Sequence, residues 1–120
     1  MISVVAVANA PVFSSYSASK AALHSLTQGI RAELAQQGTQ VIGVFPGPVD
    51  TAMAEAVPAE KIAPSEVAKA ALQAIETEID DVYPDLVSQS VFSAIAAPLK
   101  AVEKQFVGCG CFNRSAIATQ

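Results

Sequence analysis

Residues 14–48 read SSYSASKAALHSLTQGIRAELAQQGTQVIGVFPGP, and their pattern indicates the fold class. Apolar side chains recur at helical spacing over 14–37, which predicts an amphipathic helix, and Gly38 supplies a helix stop. The next residues, 39–45, are almost continuously apolar, as is typical of a strand buried on both faces of a parallel sheet. The apolar stripe expected to face the core consists of Leu23, Leu26, Ile30 and Leu34.

Further elements are predicted on both sides of this helix and strand. A second helix is expected to begin at Pro64, because proline suits the first helical position, with Ala63 as its N-cap. A short strand is predicted over 81–83, and a last helical segment over 86–106, broken near Pro98. The apolar stripe of the second helix consists of Val67, Ala71, Ala74 and Ile75.

The alternation of strand and helix favours an α/β fold with a parallel sheet and right-handed crossovers. Only residues 1–7 are available to supply a strand before the first helix. Two or three parallel strands would leave sheet faces and an edge uncovered. We therefore expect a partial, Rossmann-like doubly wound sheet that is one part of a larger fold.

Composition limits the partners of the chain. It has 120 residues, of which 52% are hydrophobic and 15% charged, so one globular domain is the most it can form. Seven Lys and Arg against eleven Asp and Glu argue against a nucleic-acid partner. The first 19 residues are uncharged but interrupted by polar residues, so no membrane span is expected.

The cysteines point to a reducing compartment. Cys109 and Cys111 are separated by one residue, too close to staple a fold, and two ligands are too few for a closed zinc site. The cytoplasm is therefore the expected location, with no metal. Asp50 and the acidic residues after it are expected to form a solvated face.

Tyr16 and Lys20 are the strongest candidates for chemistry. They lie four residues apart at the start of the first helix, so their side chains share one face. Ser3 stands thirteen residues before the tyrosine, and the turn Pro46-Gly47-Pro48-Val49-Asp50-Thr51 follows the next strand. Together these residues closely resemble the short-chain dehydrogenase/reductase superfamily, and the likeness covers about residues 1–106.

The resemblance implies a role for each of these residues. Tyr16 would exchange a proton with the substrate's carbonyl or alcohol oxygen, Lys20 would favour the ionised tyrosine and hold the nicotinamide ribose, and Ser3 would polarise the substrate oxygen. The turn after the strand would contact the nicotinamide end of the cofactor. The cofactor-binding set implied in this way is Tyr16, Lys20, Pro46, Gly47, Val49 and Thr51.

Simple electrostatics shows what such a pair needs. An ammonium about 4 Å from a phenolate stabilises it by about 4 kcal/mol at an effective dielectric constant of about 20, but by only about 1 kcal/mol in bulk water. Burial therefore decides whether Tyr16 and Lys20 can act as a general acid and base.

The sequence lacks the glycine-rich turn with which this superfamily binds its dinucleotide. Its glycines stand at 29, 38, 43, 47, 108 and 110, and the only G-x-G, at 108–110, has no strand-turn-helix context. The resemblance therefore implies that residues 1–106 are the C-terminal catalytic portion of the domain, and we expect an unstructured tail over 107–120. It does not distinguish NAD from NADP as the cofactor.

Two functions stay open at this point. The chain is either the catalytic portion of an NAD(P)-dependent oxidoreductase acting on a small alcohol or carbonyl compound, and inactive alone, or a non-enzymatic module that pairs with an intact relative. The second hypothesis rests on helix 14–37, which carries a stripe of small residues suited to close helix packing and to a homo-oligomer. The stripe consists of Ala18, Ala22, Ser25 and Gly29.

Overall fold

The computed structural model describes residues 1–96. Three helices and two short strands form its framework. They are α1 (Ser14–Leu34), β1 (Gly43–Val44), α2 (Pro64–Glu76), β2 (Asp81–Val82) and α3 (86–96). Four single 3-10 turns accompany them, two before α1 and two between the later elements, at Val4–Ala6, Pro11–Phe13, Ala35–Gln37 and Ala52–Ala54.

The two strands pair in parallel, with Gly43 opposite Asp81 and Val44 opposite Val82. Backbone hydrogen bonds extend the pairing at both ends, because the Gly43 N–H donates to Asp80 O and the Phe45 N–H donates to Val82 O, each at 2.8 Å. The predicted α/β class with a parallel sheet is therefore confirmed.

The start of the chain runs along the other edge of β1 without forming a regular strand. The Ile2 N–H donates to Val44 O (2.7 Å) and the Val4 N–H donates to Pro46 O (3.0 Å), which is the alternating pattern of a parallel ladder. The bond between them would need an N–H from Pro46, which has none. The strand expected over 1–7 is therefore reduced to two bonds, and the 3-10 turn Val4–Ala6 ends it.

Helices cover both faces of this small sheet. Successive side chains of a strand point to opposite faces of the sheet, so Val44 and Phe45 face different helices. Val44 packs with Val67 and Ala74 of α2. The Phe45 ring, fully buried, meets the His24 ring of α1 edge-on at 5.0 Å between centroids.

Helix bounds follow the sequence closely. α1 begins at Ser14 as predicted, and the turn Ala35–Gln37 carries it to Gly38, whose φ of 69° is the left-handed conformation that favours glycine at a helix end. α2 begins at Pro64 with Ala63 as its N-cap, also as predicted. The expected strand over 39–45 shortens to Gly43–Val44, because its partner β2 is only two residues long.

The expected core stripes are wrong in part. In α1, Leu23 and Leu34 are half-buried, whereas Leu26 and Ile30 are exposed, since the face that carries His24 and Arg31 is the one turned toward the two strands. In α2, Ile75 is likewise exposed. Part of each apolar stripe therefore has no cover among residues 1–96.

Arg31 connects α1 to the amino ends of both strands. Its Nε donates to Val41 O (3.0 Å), and one of its terminal nitrogens donates to Asp80 O (2.9 Å) and to the carboxylate of Asp81 (2.8 Å). The helix therefore runs back from the carboxyl ends of the strands to their amino ends, and its first residues lie toward the carboxyl ends.

Two predictions extend beyond residue 96, where the described part of the chain ends. The helical segment expected over 86–106 is observed over 86–96, while its remainder, the break near Pro98 and the tail over 107–120 lie outside the described residues. Among residues 1–96, no helix is both long enough and apolar enough to cross a bilayer.

Candidate active site

Tyr16 and Lys20 lie together on the first turns of α1. The Lys20 ammonium stands 5.4 Å from the centroid of the Tyr16 ring, a distance at which a cation and an aromatic face attract each other. The side chain of Tyr16 is 39% exposed and Lys20 is half-buried. Within residues 1–96 no carboxylate pairs with this ammonium, so both groups can meet a ligand.

The start of α1 is fixed by the chain just before it. Ser17, one residue after the tyrosine, is buried, and its hydroxyl accepts a hydrogen bond from the Ala10 N–H at 3.3 Å. The 3-10 turn Pro11–Phe13 then leads directly into the helix. The backbone that carries Tyr16 is thus anchored from one side, while the phenol itself remains accessible.

Ser3 lies against the turn that follows β1. Its hydroxyl donates to Pro46 O and accepts from the Val5 N–H, both at 3.4 Å, which is long for a hydrogen bond. Such weak bonds leave the hydroxyl free to reorient toward another acceptor. The structure therefore brings Ser3 and Pro46 together.

The two groups of candidate residues meet through packing. α1 packs against the turn Val4–Ala6, which directly follows Ser3. No hydrogen bond in the described part of the chain joins Ser3 to Tyr16 or Lys20. A substrate oxygen held between them would provide that link.

The rest of the predicted cofactor loop is divided between core and surface. Pro46 is buried, and the Gly47 N–H donates to the Asp85 carboxylate at 2.7 Å. Val49 packs on the core beside α2 and bridges to Ile62. Thr51 is exposed, and its hydroxyl donates to Val49 O at 3.3 Å.

Three aromatic rings stack in a row next to β1. Phe45 stacks on Tyr83 at 5.2 Å between centroids, and Tyr83 stacks on Phe92 of α3 at 4.1 Å. Burial, with a smaller contribution from the Asp81 carboxylate, raises the pKa of Tyr83 from 10.0 to about 12. Tyr83 therefore stays neutral at physiological pH and acts as a packing residue.

The expectation that the later acids form a solvated face is wrong for Asp81 and Asp85. Asp81 pairs with Arg31, and Asp85 binds the Gly47 backbone. One signal could have revealed Asp85: it precedes a helical segment and stands three residues before Ser88, the spacing of an N-terminal capping motif.

Lys20 and Tyr16 offer two different kinds of polar group to a ligand. A free ammonium can donate to ribose hydroxyls, and a neighbouring phenol can pass a proton to or from a carbonyl oxygen. In open α/β sheets, ligands bind beyond the carboxyl ends of the strands, and the start of α1 lies toward that side. Residues 1–96 bring no three His, Cys, Asp or Glu side chains together to hold a metal ion.

Comparison with known proteins identifies the family. The sequence pattern described as short chain dehydrogenase matches residues 1–62, just over half of the chain. This chain belongs to the short chain dehydrogenase family. The matched range includes every candidate residue predicted above, from Ser3 to Thr51.

Sequence relatives of this chain match over about half of its length. An uncharacterized oxidoreductase of Staphylococcus aureus strain USA300 is 44% identical over 63 residues, and one of strain N315 is 46% identical over 63. An uncharacterized oxidoreductase of Staphylococcus saprophyticus is 44% identical over 64 residues. Each match covers about half of this chain but only 27% of the relative.

A solved structure extends the likeness to most of the fold. The chain is similar to a short chain dehydrogenase from Burkholderia cenocepacia J2315, crystallised in complex with NADP, with a TM-score of 0.77 and 41% sequence identity. The match covers 87% of this chain and 45% of the other one. The α/β arrangement therefore follows a Rossmann-like dehydrogenase, and the chain spans less than half of that protein.

Proposed function

We propose that this chain is the C-terminal catalytic portion of an NAD(P)-dependent dehydrogenase or reductase that interconverts a small alcohol and a carbonyl compound. The observation that carries the proposal is the accessible Tyr16 and Lys20 pair at the start of α1. The order of elements supports the C-terminal assignment, because the sequence holds the Tyr-x-x-x-Lys helix and the strand and helices after it but no glycine-rich turn.

In this proposal each residue has one task. Tyr16 donates its hydroxyl proton to the substrate oxygen in reduction and accepts it back in oxidation. Ser3 turns its hydroxyl from Pro46 O to the same oxygen and fixes its position. Lys20 stabilises the ionised tyrosine and binds the nicotinamide ribose, while the bound cofactor supplies or receives the hydride.

The backbone after β1 completes the cofactor-binding set. Pro46, Gly47, Val49 and Thr51 would contact the nicotinamide end, and the exposed Thr51 hydroxyl has only a long bond to Val49 O to give up. The Burkholderia dehydrogenase was crystallised with NADP, which makes NADPH the first cofactor to test and NADH the second.

The exposure of Tyr16 explains why we expect the 120 residues to be inactive alone. A positive charge stabilises a neighbouring anion much less in contact with water than in an enclosed site, and Tyr16 is in contact with water here. Enclosure would require the half of the domain that carries the glycine-rich turn. That half can be supplied by fusing this chain behind the N-terminal part of the Burkholderia dehydrogenase.

Cofactor titration of the chain and of this fusion protein tests the proposal. Followed by nucleotide fluorescence, the chain alone should bind NADPH and NADH no more tightly than about millimolar, or about −4 kcal/mol, whereas the fusion protein should bind one of them at micromolar concentration. Saturable micromolar binding by the chain alone would show that the cofactor site does not need the second half. A fusion protein that folds but binds neither cofactor would contradict the proposal.

A second candidate function is supported by the outer face of α1. Leu26 and Ile30 are exposed there, beside the small residues Ala22 and Gly29. Exposed apolar area on a helix favours association, so we propose that helix 14–37 mediates a homo-oligomer or pairing with an intact relative. As a non-enzymatic module, the chain would act through this face alone.

The substitution Ala22→Arg tests the association. Ala22 is exposed, so a long charged side chain should leave the fold intact but weaken helix-to-helix contact. Size-exclusion chromatography with light scattering should show an oligomer for the parent chain and a monomer for the variant. A folded parent that is monomeric at tens of micromolar would refute the association.

We propose that the chain works in the reducing cytoplasm. The two cysteines on which this expectation rests, Cys109 and Cys111, lie outside the described residues.

A further inference from the structure

We propose that Asp85 is a positioning residue for the candidate cofactor loop, and that its carboxylate holds the turn Pro46-Gly47-Pro48 in the conformation that binds the nicotinamide end. This inference rests on the proposed function. It concerns a residue outside the range that the family pattern matches, 38 positions after Gly47.

Asp85 uses its two carboxylate oxygens for different partners. Oδ1 accepts the Ser88 N–H at 2.9 Å, which caps the first turn of α3. Oδ2 accepts the Gly47 N–H at 2.7 Å, across the carboxyl end of the sheet. A helix cap needs only one of these oxygens, so the second bond is not explained by the helix.

The bond to Gly47 controls the turn because the turn has no other N–H. Pro46 and Pro48 flank the glycine, and proline lacks the backbone donor. The single N–H of the three residues is therefore committed to Asp85. A bond from a backbone N–H to a carboxylate is also stronger than a bond between neutral groups.

The carbonyl groups of the turn are held from other directions. Pro46 O accepts the Val4 N–H, and Pro48 O accepts the Ile62 N–H at 2.9 Å. The start of the chain, the segment before α2 and Asp85 thus fix the turn at three successive residues. Of these three contacts, only the one from Asp85 is made by a charged side chain.

Close packing shows that Gly47 and Asp85 are fitted to each other. A Cβ atom added to Gly47 would lie 2.7 Å from Oδ1 and 3.3 Å from Cγ of Asp85. The carboxylate is itself held in place, since the fully buried Ser88 donates its hydroxyl to Asp85 O at 2.9 Å and lies 3.1 Å from Oδ2. Any side chain at position 47 would displace this group.

Asp85→Asn separates the two roles of the carboxylate. Asparagine caps a helix about as well as aspartate, so its oxygen can still accept the Ser88 N–H. Its amide nitrogen then takes the place of Oδ2, where it can donate to the Ser88 hydroxyl but opposes the Gly47 N–H. Asp81→Asn is the matched control, because Asp81 begins β2 at its other end and contacts Arg31 instead of the turn.

Amide hydrogen exchange of the chain, read by NMR, is the first measurement. Asp85→Asn should speed exchange at Gly47 by about tenfold and leave Ser88 within about threefold of the parent, whereas Asp81→Asn should leave Gly47 unchanged. Unchanged exchange at Gly47 in Asp85→Asn would overturn the proposed hold on the turn.

The NADPH affinity of the fusion protein is the second measurement. Asp85→Asn should raise the dissociation constant about tenfold, and Asp81→Asn should leave it within about twofold. Equal affinities for the parent and Asp85→Asn would overturn the positioning role. If Asp85→Asn does not fold, Asp85→Ser, whose hydroxyl can cap the helix but provides no second oxygen for the Gly47 N–H, decides by the same affinity measurement. If the parent fusion protein binds no cofactor, the proposed function fails, whereas exchange at Gly47 still decides whether Asp85 holds the turn.

Discussion

The two ends of the small sheet each pair a glycine with an aspartate, but they leave different groups accessible. At the amino end Gly43, the first residue of β1, lies against Asp81, the first residue of β2, and beyond the carboxyl end Gly47 lies against Asp85. At the amino end the charge of Asp81 is met by Arg31. At the carboxyl end, the Asp85 carboxylate contacts the Gly47 N–H and Ser88. The start of α1 lies toward the same end and presents the exposed Tyr16 phenol and the Lys20 ammonium, which pairs with no carboxylate among residues 1–96.

We infer from this difference that the amino end of the sheet serves stability and the carboxyl end serves ligand binding. Arg31 joins one helix to both strands with three hydrogen bonds, so its donors are used within the fold. Lys20, on the same helix, has no acidic partner in the described part of the chain. We therefore expect substitutions at the amino end to affect unfolding and substitutions at the carboxyl end to affect ligand binding and turnover.

Arg31→Ala should have the largest effect on stability. It removes three hydrogen bonds and leaves the half-buried Asp81 without its cation, which should lower the unfolding free energy of the fusion protein by about 2–3 kcal/mol. Urea unfolding measures this change. Lys20→Ala, on the same helix, should cost less than about 1 kcal/mol while weakening NADPH binding, and the reverse ranking of the two variants would break the comparison.

The two glycines should respond to alanine in different ways. A Cβ at Gly43 would lie 2.9 Å from Cε2 of Phe45 and 3.0 Å from Oδ1 of Asp81, so Gly43→Ala should cost about 1–2 kcal/mol of stability and leave NADPH affinity unchanged. Gly47→Ala should weaken NADPH binding several-fold, because it displaces Asp85. Urea unfolding and cofactor titration of both variants compare the two ends directly, and equal losses of affinity would contradict the assignment.

Titration of Tyr83 should have no effect on stability near neutral pH and should act only at alkaline pH. Its native pKa is raised to about 12 from 10.0, so between pH 10 and pH 12 the unfolded chain releases a proton that the native chain keeps. Stability is therefore fully present below pH 10 and falls as the pH rises toward 12. Thermal unfolding from about pH 9 to about pH 11.5 should show a steeper decline for the parent than for Tyr83→Phe. Parallel declines would show that Tyr83 does not contribute.

Local features of the fold are predictable from the sequence, and pairings across it are not. Proline at position 64 and glycine at 38 act on their own backbone, so the start of α2 and the end of α1 are predicted correctly. The length of β1 depends on β2, and the lost strand over 1–7 depends on Pro46, about forty residues away. The exposed sides of α1 and α2 depend on which face of each helix meets the strands, and no single segment encodes that contact.

In the candidate site, too, a contact within one helix is predictable from the sequence, whereas a contact between distant segments is not. Tyr16 and Lys20 share a helix, so spacing alone places them together. The contact between Ser3 and Pro46 agrees with the family resemblance that points to both residues. The part played by Asp85 is missed because its partner Gly47 lies 38 residues before it, although the spacing to Ser88 already indicates a helix cap.

Turnover of the fusion protein carrying Tyr16→Phe tests the central claim most directly. The substitution removes one hydroxyl group and keeps the ring beside Lys20, so NADPH should bind within about threefold of the parent. The rate of carbonyl reduction should fall at least about a hundredfold, as expected for loss of a general acid. A Tyr16→Phe variant that retains activity within a few-fold of the parent would contradict the assignment of Tyr16 as the proton donor.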